Sequence, residues 1–364
     1  MRYSFLLKNF VNSIEKDASA AFNLNLSKPL QVSIQPNERC NARCLMCDCW
    51  KETTDYIHSD EIIKVLAELK KWIGNNFFVQ IAGGEPLIYK GIYDIFAFCA
   101  ENGIICKIST NGIAFTPNVC DKIIQSGLSY LSVSLDSHLS EIHDKFRGVP
   151  GTLERAVNGI KYLAEHTRMT LGVSSVIMKE NISTLPQSVD YFLSLPINRL
   201  LMQPIRVWTE KLPIERWNEY EYWINDRQAL ATFTQHLLEC RKTDKRILNT
   251  VQDITEWQEY FLNPVALANR DLKKCRIGYD RLGIDYKGNV NLGCGKYGFV
   301  GNIKDESIRN IWDSPKSRQT RRKMLQCTNL CTSNCYKDLT LPQKASKALV
   351  FVKSGLFDSK KKVS

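Results

Sequence analysis

From residue 30 onward, short runs rich in β-branched residues alternate with stretches of helical apolar spacing. The strand-like runs are LQVSIQ (30–35), NFFVQIA (76–82), IICKIST (104–110), YLSVSLD (130–136), TLGVSSVIM (170–178) and RLLMQPI (199–205). The helical patterns cover 59–73, 93–103, 116–126, 151–166 and 184–194. This βα repetition predicts an α/β fold with a parallel sheet and right-handed crossovers. Six strands favour a partial (β/α)6 TIM-like barrel, with a doubly wound sheet as the alternative, and in a barrel the strand C-termini carry the active site.

The pattern changes on either side of this repeat. Residues 206–270 are rich in Trp and Tyr, with helical spacing and no clear strand. In the C-terminal part, RLGIDYKGNVNLGC (281–294) predicts a hairpin that turns at Lys287–Asn289, and ESIRNIWDSPKSRQTRRKML (306–325) predicts one helix. We therefore expect five segments. These are a helical extension (1–29), the barrel (30–240), a helical connector (241–274), a small cysteine-rich α+β domain (275–340) and a basic tail (341–364).

The cysteine usage favours metal binding. The chain has 13 cysteines, an odd number, and most of them fall in short clusters. The N-terminus lacks the pattern of a signal peptide, and no apolar run reaches the about 18 residues of a transmembrane helix. We therefore expect a cytoplasmic protein, in which clustered cysteines more often bind metal than form disulfides.

The formal charge of +11 is concentrated in 316–324 and in the tail at 341–364. Such an excess is most simply a solvated surface, but it would also suit an anionic substrate, nucleic acid or a membrane surface. In the tail, KALVFVKSGLF (347–357) has the composition of an amphipathic helix that could make peripheral membrane contact.

The densest cysteine cluster follows the first strand directly. In CNARCLMCDCW (40–50), Cys40, Cys44 and Cys47 have the spacing C-x3-C-x2-C, and Cys49 follows two residues later. A structural zinc site needs four protein ligands, which Cys49 or Asp48 would have to complete. A 4Fe-4S cluster held by three thiolates keeps one iron open for another ligand. We expect Cys49 to point away from such a cluster, and buried, inert thiols are the remaining alternative.

This loop resembles that of the radical S-adenosylmethionine (SAM) enzymes. The resemblance implies a 4Fe-4S cluster bound by Cys40, Cys44 and Cys47, whose open iron chelates the amino and carboxylate groups of SAM. Reductive cleavage of SAM then yields a 5′-deoxyadenosyl radical, which abstracts a hydrogen atom from the substrate. Met46 occupies a cofactor-binding position that is usually aromatic in that family.

Short motifs after the later strands extend the resemblance. GGEP (83–86), STNG (109–112), SLDS (134–137) and MQP (202–204) each follow a strand-like run. The family pattern implies that Gly83, Gly84 and Glu85 bind the SAM amino group and that Ser134 hydrogen-bonds SAM. It further implies that Thr110 and Asn111 line the cavity and that Met202 or Gln203 flanks the adenine.

A second cysteine group lies near the C-terminus. Its members are Cys275, Cys294, Cys327, Cys331 and Cys335. With the hairpin, the sequence GNI and the IW-containing helix, they resemble the SPASM extension or its shorter twitch form, which carries auxiliary 4Fe-4S clusters. Five cysteines imply the twitch form with one auxiliary cluster. The implied ligands are Cys275, Cys294, Cys331 and Cys335, with Cys327 in reserve, and zinc is the alternative.

The sequence therefore predicts a radical SAM oxidoreductase or epimerase that acts on a carbohydrate-like or other small molecule. With about 29 residues before the first strand, we expect no separate peptide-recognition domain, and a maturase of ribosomal peptides is the alternative. A metal-bearing module that binds nucleic acid is a remote alternative.

The resemblance implies an electron donor such as flavodoxin or ferredoxin as a partner. No catalytic acid, base or hydrogen donor can be assigned, and the five histidines show no ligand spacing. Cys99, Cys106, Cys120 and Cys240 are expected in the core.

Overall fold

The computed structural model describes residues 2–22, 24–51, 56–206, 212, 214–264 and 275–327. All six expected strands are present within a mixed α/β fold. They are β1 (Gln31–Ile34), β2 (Phe78–Ile81), β3 (Ile105–Thr110), β4 (Tyr130–Ser134), β5 (Thr170–Ile177) and β6 (Arg199–Pro204). Each pairs in parallel with the next, which gives the expected partial barrel.

Alternation of side chains along the strands defines two faces of the sheet. Val32, Val79 and Ile108 belong to the face that packs on the helices, and none of them is exposed. Their neighbours along the strands point to the concave face and are polar in several places, as at Ser33, Gln80 and Lys107. The concave face of the barrel is therefore hydrophilic, whereas the core lies between the sheet and the helices.

Eleven α-helices lie within the described residues. They are α1 (Arg2–Phe22), α2 (Ser59–Ile73), α3 (Ile92–Glu101), α4 (Pro117–Gln125), α5 (Ser140–Arg147), α6 (Thr152–His166), α7 (Leu185–Ser194), α8 (Arg227–Thr243), α9 (Val251–Leu262), α10 (Ile308–Asp313) and α11 (Pro315–Leu325). The helix at α5 was not expected, because it is short and strongly polar. The N-cap of α2 is His58, whose backbone N–H donates to Glu61 Oε2 at 3.1 Å.

The C-terminal unit continues the sheet of the barrel. Its strands are β7 (Arg281–Ile284), β8 (Asn289–Asn291) and β9 (Gly301–Asn302). The β7–β8 pair is the expected hairpin, and Gly288 in its turn has a φ of +84°. β7 also pairs in parallel with β1, so one sheet of nine strands runs from β6 to β9 among the described residues.

One expectation for this unit is wrong: 306–325 forms two helices rather than one. Ser314 adopts an extended backbone (φ −64°, ψ 155°) between α10 and α11. Pro315 disfavours the helical conformation of the residue before it, so α10 ends there. Ser314 then becomes the N-cap of α11 and accepts from the Ser317 N–H.

The N-terminal helix is bound to the C-terminal unit. Lys16 of α1 pairs with Asp280 at 2.6 Å, and Asp17 pairs with Arg276 at the same distance. The five proposed segment boundaries stay predictions, and 341–364 lies outside the described residues. None of the helices in the described part of the chain combines the length and apolarity needed to cross a membrane.

Candidate functional site

The cysteine loop between β1 and α2 is held on one side by the strand end of β2. The Gly84 N–H donates to the Asn37 carbonyl at 3.1 Å, and the Glu85 N–H donates to the Arg39 carbonyl at 2.8 Å. These two bonds fix the backbone just before Cys40. The GGEP turn (83–86) therefore holds the cysteine loop by backbone hydrogen bonds, and we call this turn the dock.

On its other side, the loop is held by the C-terminal end of α5. The Arg43 N–H donates to the Arg147 carbonyl at 2.8 Å, and the Leu45 N–H donates to the Phe146 carbonyl at 3.1 Å. Because helix carbonyls in the last turn have no partner within the helix, they are free to accept such bonds. Cys44 thus sits between two residues whose backbone is anchored to α5.

Glycine is required at both positions of the dock for steric reasons. A Cβ on Gly84 would lie 1.9 Å from the Arg39 carbonyl oxygen, and a Cβ on Gly83 would lie 2.7 Å from that of Asn37. In the structure, the group that approaches Gly84 is the backbone of the cysteine loop. Binding of the SAM amino group by Gly83, Gly84 and Glu85 stays a prediction.

Three thiols of this loop lie close together in a largely buried setting. Burial raises the pKa of the Cys40 thiol to about 11, and the nearby Cys44 and Cys47 thiols contribute to the shift. Burial raises the pKa of Cys44 as well. The Ala42 N–H donates to Cys40 Sγ at 3.4 Å, and Asn111 Nδ2 lies 3.7 Å from the same sulfur. Without a metal the Cys40 and Cys44 thiols stay protonated near neutral pH, so metal binding to them must release protons.

The expectation that Cys49 points away from this group is wrong. Cys49 begins a short 3-10 helix (Cys49–Lys51), and its thiol is hydrogen-bonded to Cys47. That bond is the largest of the effects that raise the pKa of Cys49, followed by burial. The structure therefore brings the Cys49 thiol against Cys47, and the assignment of Cys40, Cys44 and Cys47 as the ligands stays a prediction.

The buried carboxylate of Glu85 links the C-terminal ends of β2 and β3 through hydrogen bonds. Glu85 is 1% exposed. It accepts from the Thr110 hydroxyl at 2.7 Å, from the Asn111 N–H at 2.8 Å and from the Leu87 N–H at 3.1 Å. Burial raises its pKa, while these hydrogen bonds lower it. The same contacts fix Thr110 and Asn111, so Asn111 is held beside Cys40.

A buried ion pair that sequence reasoning missed lies against Cys44. Arg147 Nη2 is 2.6 Å from Asp136 Oδ2, and Arg147 Nη1 is 3.7 Å from Cys44 Sγ. The side chains of Arg147 and Asp136 are 8% and 1% exposed. Asp136 Oδ1 also accepts from the Val176 N–H at 3.0 Å. A cationic donor in a low-dielectric setting stabilises negative charge on the sulfur that it contacts.

His143 completes this arrangement from the interior of α5. Its Nδ1 accepts from the Asp136 N–H at 3.1 Å, and the residue is fully buried. Burial, and next the charge of Arg147, lowers its pKa to about 4. The ring is therefore neutral near neutral pH and can accept that bond. The sequence signal was the presence of polar residues at 143 and 147, four apart on one helix face.

The other residues that are predicted to bind SAM differ in how exposed they are. Ser134 ends β4 and is partly exposed, and Met46 packs partly buried against the core. Met202 is 1% exposed, on the face of β6 that packs on the helices. Gln203, on the opposite face, is exposed. Of the two alternatives for the adenine, only Gln203 is accessible.

The second cysteine group is partly described. Tyr297 lies among Cys275, Cys294 and Cys327, and Cys327 is hydrogen-bonded to its hydroxyl. Burial first, and then this bond and the three thiols, raise the pKa of Tyr297. Cys331 and Cys335 lie outside the described residues. The structure thus brings the reserve ligand, Cys327, to the same place as Cys275 and Cys294.

Comparison with known protein families decides the identity of this arrangement. The model of the radical SAM superfamily matches residues 34–192, and that of the SPASM iron-sulfur cluster-binding domain matches residues 275–336. The chain therefore contains a radical SAM domain followed by a SPASM domain. These two domains imply a 4Fe-4S cluster with SAM in the barrel and auxiliary iron-sulfur binding in the C-terminal unit.

Curated relatives in this superfamily differ widely in their activities. An AdoMet-dependent heme synthase of Nitratidesulfovibrio vulgaris is 29% identical over 154 residues, which is 42% of this chain and 41% of that protein. The mycofactocin maturase MftC of Mycolicibacterium smegmatis is 25% identical over 185 residues, which is 49% of this chain and 46% of that protein. The alignments thus span less than half of each relative.

Solved radical SAM structures share the fold. Streptococcus suis SuiB bound to S-adenosylmethionine superposes with a TM-score of 0.64 at 19% identity, over 84% of this chain and 70% of that one. The anSMEcpe structure with bound AdoMet and the Cp18Cys peptide superposes with a TM-score of 0.58 at 15% identity, over 91% and 98% of the two chains. These likenesses establish the partial barrel and its C-terminal extension.

Replacing Gly84 with Ala tests the dock. Because the new Cβ would overlap the Arg39 carbonyl, we expect the cysteine loop to shift and the iron bound at Cys40, Cys44 and Cys47 to fall severalfold. Gly295→Ala is the matched control, since a Cβ there meets nothing within 4 Å. Because Gly295 adjoins Cys294, both variants are made in a Cys275→Ala/Cys294→Ala background, so that only iron of the first loop is counted. Iron analysis and the cluster absorbance report the result. Full iron content in Gly84→Ala would contradict the docking role.

Replacing the buried ion pair tests its effect on the radical SAM cluster. Arg147→Met removes a positive charge beside Cys44, so we expect a more negative midpoint potential, by an amount on the order of tens of millivolts. Asp136→Asn removes a negative charge and should shift the potential in the opposite direction. A redox titration followed by electron paramagnetic resonance measures both variants. Equal potentials in the wild type and both variants would show that the pair is only structural.

Proposed function

We propose that this protein is a radical SAM enzyme in which Cys40, Cys44 and Cys47 hold the SAM-binding 4Fe-4S cluster. The observation that carries the proposal is the anchoring of these three cysteines in one partly buried loop, between the β2 turn and α5. The cluster, with SAM bound, supplies a 5′-deoxyadenosyl radical that abstracts a substrate hydrogen.

The residues around the loop fit such a group. Three cysteines of one loop lie near enough for the Cys44 and Cys47 thiols to raise the pKa of Cys40, and thiolates are the ligands that iron-sulfur clusters prefer. Asn37 is 3% exposed, and neither its amide nitrogen nor its amide oxygen has a partner within the described residues. The Asn37 carbonyl accepts from Gly84, so this unpaired amide lies at the dock where the SAM amino group is predicted to bind. A buried amide without partners is costly unless a ligand satisfies it.

The protein side chains would then bind, orient and shield. Arg147 stabilises the thiolate of Cys44, Asn111 donates toward Cys40, and Glu85 fixes the strand ends that carry both motifs. Gly83, Gly84, Glu85, Ser134 and Met46 would bind SAM, with Gln203 beside the adenine. We further propose one auxiliary cluster bound by Cys275, Cys294, Cys331 and Cys335 or, in view of its position, by Cys327 in place of one of the last two.

Removing the three thiols tests the ligand assignment. The Cys40→Ala/Cys44→Ala/Cys47→Ala variant should lose about four irons and all SAM cleavage, because a cube needs its thiolates. The measurement is iron content after anaerobic reconstitution, followed by 5′-deoxyadenosine release with SAM and dithionite.

Cys49→Ala is the matched control, since Cys49 lies in the same loop against Cys47. It should keep the iron and the cleavage activity of the wild type. SAM cleavage in the triple variant, or its loss in Cys49→Ala alone, would overturn the three-cysteine assignment.

A cleft over the junction of β1 with β7 is the proposed place of the substrate. It has a volume of about 260 Å³. Its lining includes Gly83, next to Gly84 of the first site, and Gly293 and Gly295, which flank Cys294. A substrate in this cleft would lie between the radical source and the auxiliary cluster, which would accept an electron or position the substrate.

The concave face of the barrel carries two cations that favour an anionic substrate. Lys107 Nζ lies 4.8 Å from the ring centre of Tyr130. The Tyr130 hydroxyl reaches over Gly172, whose strand partner is Arg199. Burial, and next the charge of Arg199, lowers the pKa of Lys107. Neither cation forms an ion pair with a described residue, and neither lines the cleft. A substrate that extends from the cleft across the concave face would place an anionic group beside them.

We therefore propose a small-molecule substrate, carbohydrate-like or otherwise, that bears a phosphate or carboxylate and is oxidised or epimerised. The alternative is peptide maturation, which is favoured by the fold shared with SuiB, solved bound to its precursor peptide SuiA. A flavodoxin or ferredoxin is the proposed electron donor. The uncompensated cations on the concave face are the observation that favours the small anionic substrate.

A panel of deuterated candidates tests the substrate class. Anionic sugars and carboxylates should transfer deuterium to 5′-deoxyadenosine, whereas their neutral counterparts should not. Lys107→Met should lower kcat/KM for the accepted substrate at least about tenfold, because one charged contact contributes roughly 1.5–3 kcal/mol. Lys122→Met, an exposed lysine on α4, is the control. Transfer from neutral sugars alone, or from a peptide alone, would contradict the anionic class.

A further inference from the structure

Three potential metal ligands meet at the contact between α7 and α8, separate from both cysteine groups. Asp190 lies on α7, and His236 and Cys240 lie four residues apart on α8. Residues at i and i+4 face the same side of a helix, so the imidazole and the thiol are neighbours. We expected no ligand spacing among the histidines, but His236 lies beside Cys240 and Asp190 in the structure.

The three ligand atoms form a compact triangle. His236 Nε2 is 2.9 Å from Asp190 Oδ1 and 3.4 Å from Cys240 Sγ, and the sulfur is 3.8 Å from the same carboxylate oxygen. In a tetrahedral zinc site, the usual bond lengths place N and O about 3.3 Å apart, N and S about 3.6 Å apart, and O and S about 3.5 Å apart. Each observed distance between two ligand atoms is within a few tenths of an ångström of the corresponding distance in a tetrahedral zinc site.

The pairing of atoms does not suit a catalytic relay. In a nucleophile–base–carboxylate triad, the acid and the nucleophile contact opposite nitrogens of the imidazole. Here Asp190 and Cys240 both contact Nε2. One nitrogen cannot donate its proton to the carboxylate and accept the thiol proton at once. The arrangement is instead that of three ligand atoms that face one common point.

We propose that Asp190, His236 and Cys240 form a zinc site that links α7 to α8. Zinc binds by the thiolate, the neutral imidazole and the carboxylate, and the thiol proton passes to solvent. The side chains of Asp190 and His236 are 59% and 31% exposed, so water can take the fourth position. The ion crosslinks two helices of the outer layer of the barrel.

Zinc retention by the holoenzyme tests the site. The protein is first reconstituted anaerobically, so that iron and sulfide occupy the cluster cysteines. It is then equilibrated with zinc, passed through buffer that contains nitrilotriacetate, and analysed for both metals. The wild type should keep about one zinc per chain, because the site has three protein ligands. Cys240→Ser and His236→Asn should bind zinc at least about tenfold more weakly, with unchanged iron, since losing even an outer-sphere partner costs that much.

His166→Asn is the matched control, since this exposed histidine on α6 lies outside the cluster. It should retain zinc as the wild type does. If Cys240→Ser loses iron or fails to fold, the test compares zinc retention in the wild type with that in His236→Asn. Equal zinc in the wild type and His236→Asn, or none in either, overturns the proposal and leaves a hydrogen-bonded surface group. A zinc-dependent rise in unfolding temperature, seen in the wild type and lost in His236→Asn, supports the crosslink.

Discussion

The backbone hydrogen bonds that hold the cysteine loop are the constraint on which the rest of the site depends. On one side, Asn37 and Arg39 accept from the turn after β2, and on the other, Arg43 and Leu45 donate to the end of α5. A loop tethered at both flanks presents its three cysteines with little conformational freedom. The conformational entropy that a metal-binding loop loses on being ordered is thus already lost on folding, and the metal does not have to offset it. The absence of a Cβ at Gly84 is what lets the two backbones come so close.

Charge is distributed around this loop so that buried groups compensate each other. Arg147 is paired with Asp136 and contacts Cys44, while the Glu85 carboxylate is satisfied by two N–H groups and a hydroxyl. Burying a charge is costly unless it is paired or hydrogen-bonded, so such networks must be complete. The concave face is different, because Lys107 and Arg199 lack a carboxylate partner among the described residues. That contrast is why an anionic substrate is the better proposal.

The sequence predicts the six barrel strands and most of the helices, because their signals are local. Alternation along β6 could also have separated Met202 from Gln203, since successive residues face opposite sides of a sheet. The pairing of β7 with β1 could not be predicted, as it joins segments about 250 residues apart and has no local signature. The same holds for Arg147 beside Cys44. Two further features do have local signals, since Pro315 marks the break between α10 and α11 and His236 and Cys240 are four residues apart.

The shared sheet also gives the C-terminal unit a defined place relative to the first cysteine loop. Because β7 lies beside β1, the hairpin and Cys294 are fixed to the same framework as Cys40. A substrate in the intervening cleft would then be reached from both sides. This arrangement depends on the first cluster having an iron that no cysteine occupies, to which SAM can bind.

The most direct test of that claim is electron paramagnetic resonance of the reduced enzyme in a Cys275→Ala/Cys294→Ala background, where the loop cluster alone should remain. Addition of SAM that carries ¹⁷O in its carboxylate should shift the g-values of the cluster and introduce hyperfine coupling to the labelled oxygen. A spectrum that does not change on addition of SAM would mean that no iron is open, and would contradict the account.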